Sequence, residues 1–494
     1  MPHILDFIVI VVYLIGITWF GARFRKSQKS LKDYFLGGHT APWWAIGLSI
    51  VSAETSTLTV IGTPGLSFAG NFEFLQVVLG YLLARIVIST LFLPPYFRGE
   101  MFTAYELMRR RFGERIRKLT AGTFLILRAL AEGVRVFAIS IIVAIVLGSG
   151  EVTSILVIVC LTLFYTFEGG LTAVIWTDVV QMFLYVGGAI LSFFVILSLI
   201  PGGWPHVLAL AAPAHKFKMF DFGFAFTPAF FSKSYSFWAG LIGGCFLTTA
   251  SHGTEQLMVQ RLLAAKTESQ SRAALFGSWI VIFFQFALFL LIGVMLWVHY
   301  SDLHLAAPKT PDQIYPQFIW DRLPPGFAGL VVAAILAAGM SNLSAALNAL
   351  ASTSIMDFYK PLTTRAGRTH SEQHYLRLAR WATVAWGVVL FLIGLFARHV
   401  HSVLEAGLTI ASVLYGSLLG VFLLGLLTRR VKEPAAIIAM LAGLITMLAI
   451  FTFTKIAFTW YVLIGTSATF ASGWLASFVL SGNTFITRQR RGAS

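Results

Sequence analysis

The sequence predicts an all-α integral membrane protein of about 13 transmembrane helices. Three observations predict it. The 494 residues are 57% hydrophobic and only 12% charged, whereas soluble domains carry about 25% charged residues. Apolar segments long enough to span recur at 4–22, 42–69, 73–97, 120–148, 151–168, 171–200, 236–261, 274–299, 326–356, 377–398, 402–427, 434–454 and 457–480. Basic residues alternate between the loops: with the N-terminus outside, 26 Lys and Arg fall in inside segments and 7 in outside loops. That asymmetry puts the C-terminus in the cytoplasm of a multi-pass protein of the cell inner (plasma) membrane. The net charge of +15 is therefore a topology signal. It implies no nucleic-acid partner; the lipid bilayer is the partner, and no obligate protein partner is evident.

The first segment carries Asp6, no preceding basic residue and no small-residue cleavage site, so it reads as a retained helix rather than a signal peptide. The second is not a plain helix. Leu48-Ser-Ile-Val-Ser-Ala-Glu-Thr-Ser-Thr57 is polar at many positions, and Gly62, Pro64 and Gly65 follow. Such density predicts an interruption near the midplane, which frees carbonyls for a cation and helix N-termini for an anion. In the third and fourth segments Glu73 lies near an outer end and Arg135 near mid-span. A charge at the bilayer centre costs about 2.5–3.5 kcal/mol, so each needs a reason. Arg135 either grips a solute or pairs structurally with Glu73 or Glu132. Asp178 in the sixth segment raises the same question.

The seventh segment repeats the theme of the second, with Gly243-Gly244 and then Thr248-Thr-Ala-Ser-His-Gly-Thr-Glu-Gln256. Interrupted helices five segments apart are the pointer to an inverted-repeat secondary transporter. In the ninth segment Ser341, Ser344, Asn348 and Ser352 recur at steps of three and four, on one helix face. That face suits close helix packing, or hard oxygen ligation of a small cation. Cys160 and Cys245 lie inside spans and suggest neither a disulfide nor a metal pair. No HExxH or GxSxG motif occurs, which argues against an enzyme. A membrane-embedded solute sensor is the competing class.

The run Tyr165-Thr-Phe-Glu-Gly-Gly-Leu-Thr-Ala173, then Trp176-Thr-Asp178 and Gln181, resembles the signature of the sodium:solute symporter family. Glu255-Gln256 with Gln260-Arg261, Asn348 with Asp357 and Tyr359, and Val421-Phe-Leu-Leu-Gly425 extend the resemblance over nearly the whole chain. It implies a LeuT-like 5+5 inverted repeat: 41–200 and 236–430 as the repeats, 1–40 a peripheral first helix and loop, 201–235 an extracytoplasmic loop, and 431–494 peripheral helices with a basic tail. The implied function is sodium-coupled symport of a small polar solute by alternating access.

By position, the resemblance places Na+ against the carbonyls of Leu48, Val51 and Ala338 and the side chains of Ser341 and Asn342. The family usually has Ser or Thr where Asn342 stands. A second ion would use Asp178 and Ser344, but Ala345 replaces an expected hydroxyl. One sodium per cycle is therefore expected, with Asp178 structural or proton-linked. One sodium can do useful work: a charge crossing 100 mV gains about 2.3 kcal/mol, and a tenfold gradient adds about 1.4 kcal/mol. The implied solute contacts are Ser52, Thr55, Glu73, Gln76, Arg135, Thr248, Ser251 and His252. Glu73 matches a sugar-binding Glu. Yet Ser251 and His252 replace the aromatic pair that covers a sugar, and Leu408 replaces a Gln. Arg135 resembles the Arg that grips a substrate carboxylate in the sialic acid branch, and its planar fork suits that task. The lean is to a carboxylate-bearing solute, with a sugar or polyol as the alternative.

Overall fold

The structure, a computed structural model, describes residues 4–23, 40–98, 104–165, 171–367, 371–400 and 402–491. The described residues form helices joined by turns and short loops. The long helices are α1 (Ile4–Ala22), α2 (Trp43–Glu54), α3 (Thr57–Ala69), α4 (Leu75–Val87), α5 (Glu114–Leu147), α6 (Glu151–Tyr165) and α7 (Leu171–Leu199). They continue as α8 (Phe237–Thr254), α9 (Gln256–Leu263), α10 (Glu268–Asp302), α11 (Phe327–Thr353), α12 (Glu372–Ala397), α13 (Val403–Leu427), α14 (Glu433–Phe453) and α15 (Tyr461–Arg491). Among the described residues eight helices are long and apolar enough to cross a membrane, and up to nine if the pair α2–α3, bent by 61°, counts as one span. Three of the expected segments appear as shorter apolar helices, Ile4–Ile17, Glu151–Leu163 and Trp381–Ala397.

The chain divides into two compact units. The first comprises Met1–Leu75, Arg128–Asp221 and Ala264–Leu408. In it the broken pair α2–α3 packs on α10, α2 packs on α7, and α1 packs on α11. Small residues set these distances. A Cβ on Gly293 of α10 would stand 2.1 Å from the Pro64 carbonyl oxygen, so only glycine permits the approach. Beside it the Ser67 hydroxyl donates to the Leu290 carbonyl at 2.6 Å. Asp6 of α1 is buried and accepts from the backbone N–H groups of Gly326 (2.7 Å) and Gly329 (2.8 Å). It thus caps the N-terminus of α11, where four donors lack helical partners.

The second unit comprises Gln76–Leu127, Phe222–Leu263 and Thr409–Ser494. Here α8 lies against α4 almost backbone to backbone: a Cβ on Gly244 would meet the Val77 carbonyl oxygen at 2.2 Å. Gly244 serves that approach, while a Cβ on Gly243 would stand 2.1 Å from the Thr459 carbonyl oxygen. The glycines stay helical, and the seventh segment is interrupted instead at Glu255, an extended residue between α8 and α9. Nearby, the Tyr96 hydroxyl donates to the Gly253 carbonyl at 2.6 Å. Arg111 fans onto the carbonyls of Gly425, Thr428 and Val431, closing the C-terminus of α13.

Candidate functional site

The interruption in the second segment has local causes. Pro42, in extended conformation, precedes α2 and fits a helix start. The helix ladder ends where the Thr55 N–H donates to the Val51 carbonyl at 2.8 Å. Thr55 then leaves helical geometry, Ser56 is extended, and α3 begins at Thr57. The Thr59 hydroxyl bridges the gap to the Glu54 carbonyl at 3.2 Å. A carbonyl has two lone pairs, so Val51 O keeps one for a cation.

Polar side chains gather on the buried side of this break. The Ser49 hydroxyl donates to Asp178 Oδ2 at 2.7 Å, and Gln285 Nε2 donates to Thr55 Oγ1 at 2.6 Å. The Tyr185 hydroxyl lies beside Ser52 and Thr55. Asp178 is therefore engaged by a side-chain hydroxyl. Tyr185 and Gln285 were not anticipated. A lone Gln within the apolar run 274–299 was the available signal for the second.

Ala338, Ser341 and Asn342 lie on α11. The side chains of Ala338, Ser341, Asn348 and Ser352 are outside the described residues, whereas Asn342 and Ser344 are half-buried. One observation tests whether a cation fits. Thr57 Oγ1, at the first position of α3, is buried without a hydrogen-bond partner. A Cβ on Gly339 would sit 2.9 Å from it. An orphaned hydroxyl oxygen thus faces α11 one residue from Ala338. A buried oxygen lacking a donor costs free energy unless a proton donor or cation satisfies it. These neutral oxygens suit a hard monovalent ion, and Thr57 joins the candidate set.

Two ion-pair systems of the same unit involve candidate site residues. On α5, Arg128 Nη2 stands 2.7 Å from Glu132 Oε1, and Arg135 Nη1 donates to the same oxygen. Glu132 is fully buried, whereas the Arg135 side chain is 23% exposed and its Nε has no hydrogen-bond partner. Two guanidiniums share one oxygen of this carboxylate. The second system joins Lys218 Nζ to Glu73 Oε1 at 2.9 Å, with side chains 43% and 11% exposed. That hydrogen bond holds the Lys218 pKa above its usual value. The two systems differ in strength. Breaking a buried pair costs about 3–5 kcal/mol, while a solvated pair contributes about 0–1 kcal/mol. Of the three cations in these systems Lys218 is the most exposed.

Lys216, two residues earlier, donates to the Phe68 carbonyl at 2.8 Å near the end of α3 and lies over the Trp297 ring at 4.7 Å. In the other unit Gln76 Nε2 reaches the Tyr235 carbonyl at 3.5 Å, and His252 Nδ1 lies 2.8 Å from the Ser251 hydroxyl. Ser251 also donates to the Thr248 carbonyl at 3.3 Å. Glu255 accepts from the Tyr415 hydroxyl. The sodium candidates, Ser52, Thr55, Glu73, Arg135, Asp178 and Ser344 thus belong to the first unit, and Gln76, Thr248, Ser251 and His252 to the second. Residues 166–170 of the signature lie outside the described residues.

The model of the sodium:solute symporter family matches residues 34–443. The chain belongs to the sodium:solute symporter family. The symporter is 28% identical over 435 residues to the human sodium/iodide cotransporter, covering 86% of this chain and 66% of that one. It is 26% identical over 487 residues to the sodium/sialic acid symporter of Aliivibrio fischeri, covering 97% and 94%. A substrate-bound, outward-open Na+-coupled sialic acid symporter, whose structure revealed a novel Na+ site, superposes with a TM-score of 0.82 at 25% identity, over 97% of this chain and 98% of that one. Sodium is the coupling ion of this family, and the all-helical transporter fold is shared.

Proposed function

We propose that the symporter couples inward movement of one sodium to uptake of a small solute carrying a negative group. The observation that carries this reading is Arg135. Its Nη1 is held by Glu132, Nε is buried without a hydrogen-bond partner, and another part of the side chain is exposed. A carboxylate could therefore take the guanidinium's remaining edge without breaking the triad. Sialic acid and iodide, named for two relatives, are both anions.

Sodium is assigned to the α2–α3 break and α11, held by the carbonyls of Leu48, Val51 and Ala338 and the side-chain oxygens of Ser341 and Asn342, with Thr57 adjoining. Ligands without fixed charge favour fast release. Ser52 and Thr55 are assigned to the solute, together with Gln76, Thr248, Ser251 and His252. The repeats are assigned to 41–200 and 236–430, the protein to the inner membrane, and the basic C-terminal tail to the cytoplasm. Uptake of labelled N-acetylneuraminate, iodide and glucose into proteoliposomes tests the proposal. An inward sodium gradient should drive uptake of an anion. Equal uptake with choline in place of sodium would refute coupling.

A further inference from the structure

The segment around Lys216–Lys218 is pinned to the stretch joining α3 and α4 at several points. Lys216 anchors it: its ammonium donates to the Phe68 carbonyl at 2.8 Å and caps the C-terminal end of α3. Phe217 packs edge-on against Phe72 with centroids 5.6 Å apart. The Phe72 N–H donates to the Lys218 carbonyl at 3.1 Å. Lys218 is thereby delivered to a fixed place beside Glu73.

Its own chemistry differs from that of Lys216. The Lys218 side chain is 43% exposed, and its contact with Glu73 is a single 2.9 Å hydrogen bond. An ammonium has three donors, so others remain for a second acceptor. Glu73 is itself fixed, because its N–H donates to Asn71 Oδ1 at 2.9 Å. The field at Lys218 also includes Asp221. A solvated lysine held weakly by a more buried carboxylate on a rigid platform can trade that carboxylate for another anion.

We propose that Lys218 is an anion-recognition residue of the solute path: Glu73 occupies its ammonium in the empty transporter, and the negative group of the arriving solute replaces Glu73. This rests on the anionic-solute reading above. It gives Glu73 the role of an internal competitor rather than a solute ligand, and makes opposite predictions for the two partners.

The test uses the full chain in proteoliposomes, with sodium-driven uptake of labelled N-acetylneuraminate and iodide, and glucose as the neutral probe. Lys218→Gln should raise KM for the transported anion tenfold or more, with the maximal rate within twofold. Glu73→Gln should lower that KM at least threefold, because the competitor is gone. The double exchange Lys218→Glu with Glu73→Lys keeps an ion pair and should leave KM high. A KM within twofold of the parent in Lys218→Gln, or full recovery in the double exchange, would overturn the proposal and leave the transport function standing. Sodium-driven uptake of glucose with neither anion carried would also overturn it. No sodium-driven uptake of any probe would remove the underlying functional reading, and this inference with it.

Discussion

Single residues decide the coupling chemistry. Ser341→Ala and Thr57→Val each remove one neutral oxygen from the proposed sodium surroundings. Each should raise the sodium half-saturation about fivefold, on the order of 1 kcal/mol, measured as sodium-dependent uptake at saturating solute. An unchanged value for Ser341→Ala would move the site elsewhere. Arg135→Lys keeps the charge but loses the planar fork, so KM for an anionic solute should rise about tenfold while sodium dependence persists. Glu132→Gln takes this carboxylate from a buried guanidinium, Arg128, and a partly exposed one, Arg135, and should cost about 3 kcal/mol of stability, visible as a lowered melting temperature in detergent. Arg135 was legible in the sequence because an arginine inside an apolar span must be explained, and its partner Glu132 lay within three residues. Lys218 was not. In sequence it is one more outside lysine, and only the loop's return onto Phe72 brings it to Glu73. Thr57 was hidden similarly, since its significance comes from lacking a partner beside Gly339.

Helices behave here as surfaces whose spacing is set by a few side-chain-free positions. Gly293→Ala would drive a methyl into the Pro64 carbonyl. Such overpacking costs about 1–3 kcal/mol, and the loss should appear as a lower melting temperature and slower turnover. Normal turnover would mean that α3 and α10 slide freely past each other. At the end of α3, burial holds the Lys216 ammonium down to about 8, from an ordinary value of 10.5. Between those values the unfolded chain keeps the proton and the folded chain does not. Stability therefore rises with pH across that window. The melting temperature of the parent relative to Lys216→Met should climb between about pH 7.5 and 9.5; a flat difference would assign the loop no linkage. The break in the second segment was readable because Ser, Thr, Gly and Pro compete with the helix ladder in one short run. The seventh was harder. Its glycines looked like breakers, but paired glycine in a membrane helix also permits close packing, and the α4 backbone takes that option at Gly244 and the Thr459 backbone at Gly243.

Across the whole molecule, charge balance limits what the transporter can accumulate. One sodium moving with a singly charged anion carries no net charge. The membrane potential then contributes nothing, and a tenfold sodium gradient supports only about tenfold accumulation, near 1.4 kcal/mol. Uptake by a one-sodium cycle should thus be indifferent to a potential imposed with potassium and valinomycin. Acceleration by an inside-negative potential would call for a second sodium, with Asp178 and Ser344 as its first candidates. The cap that Asp6 places on α11 has a consequence in time. Its partners are 320 and 323 residues away in sequence. At roughly 5–20 residues per second of synthesis, the ribosome delivers them on the order of half a minute after Asp6. For that interval the Asp6 carboxylate exists before these two N–H donors do. The contact of Asp6 with α11 is accordingly a late event in biogenesis, postponed until α11 has been made.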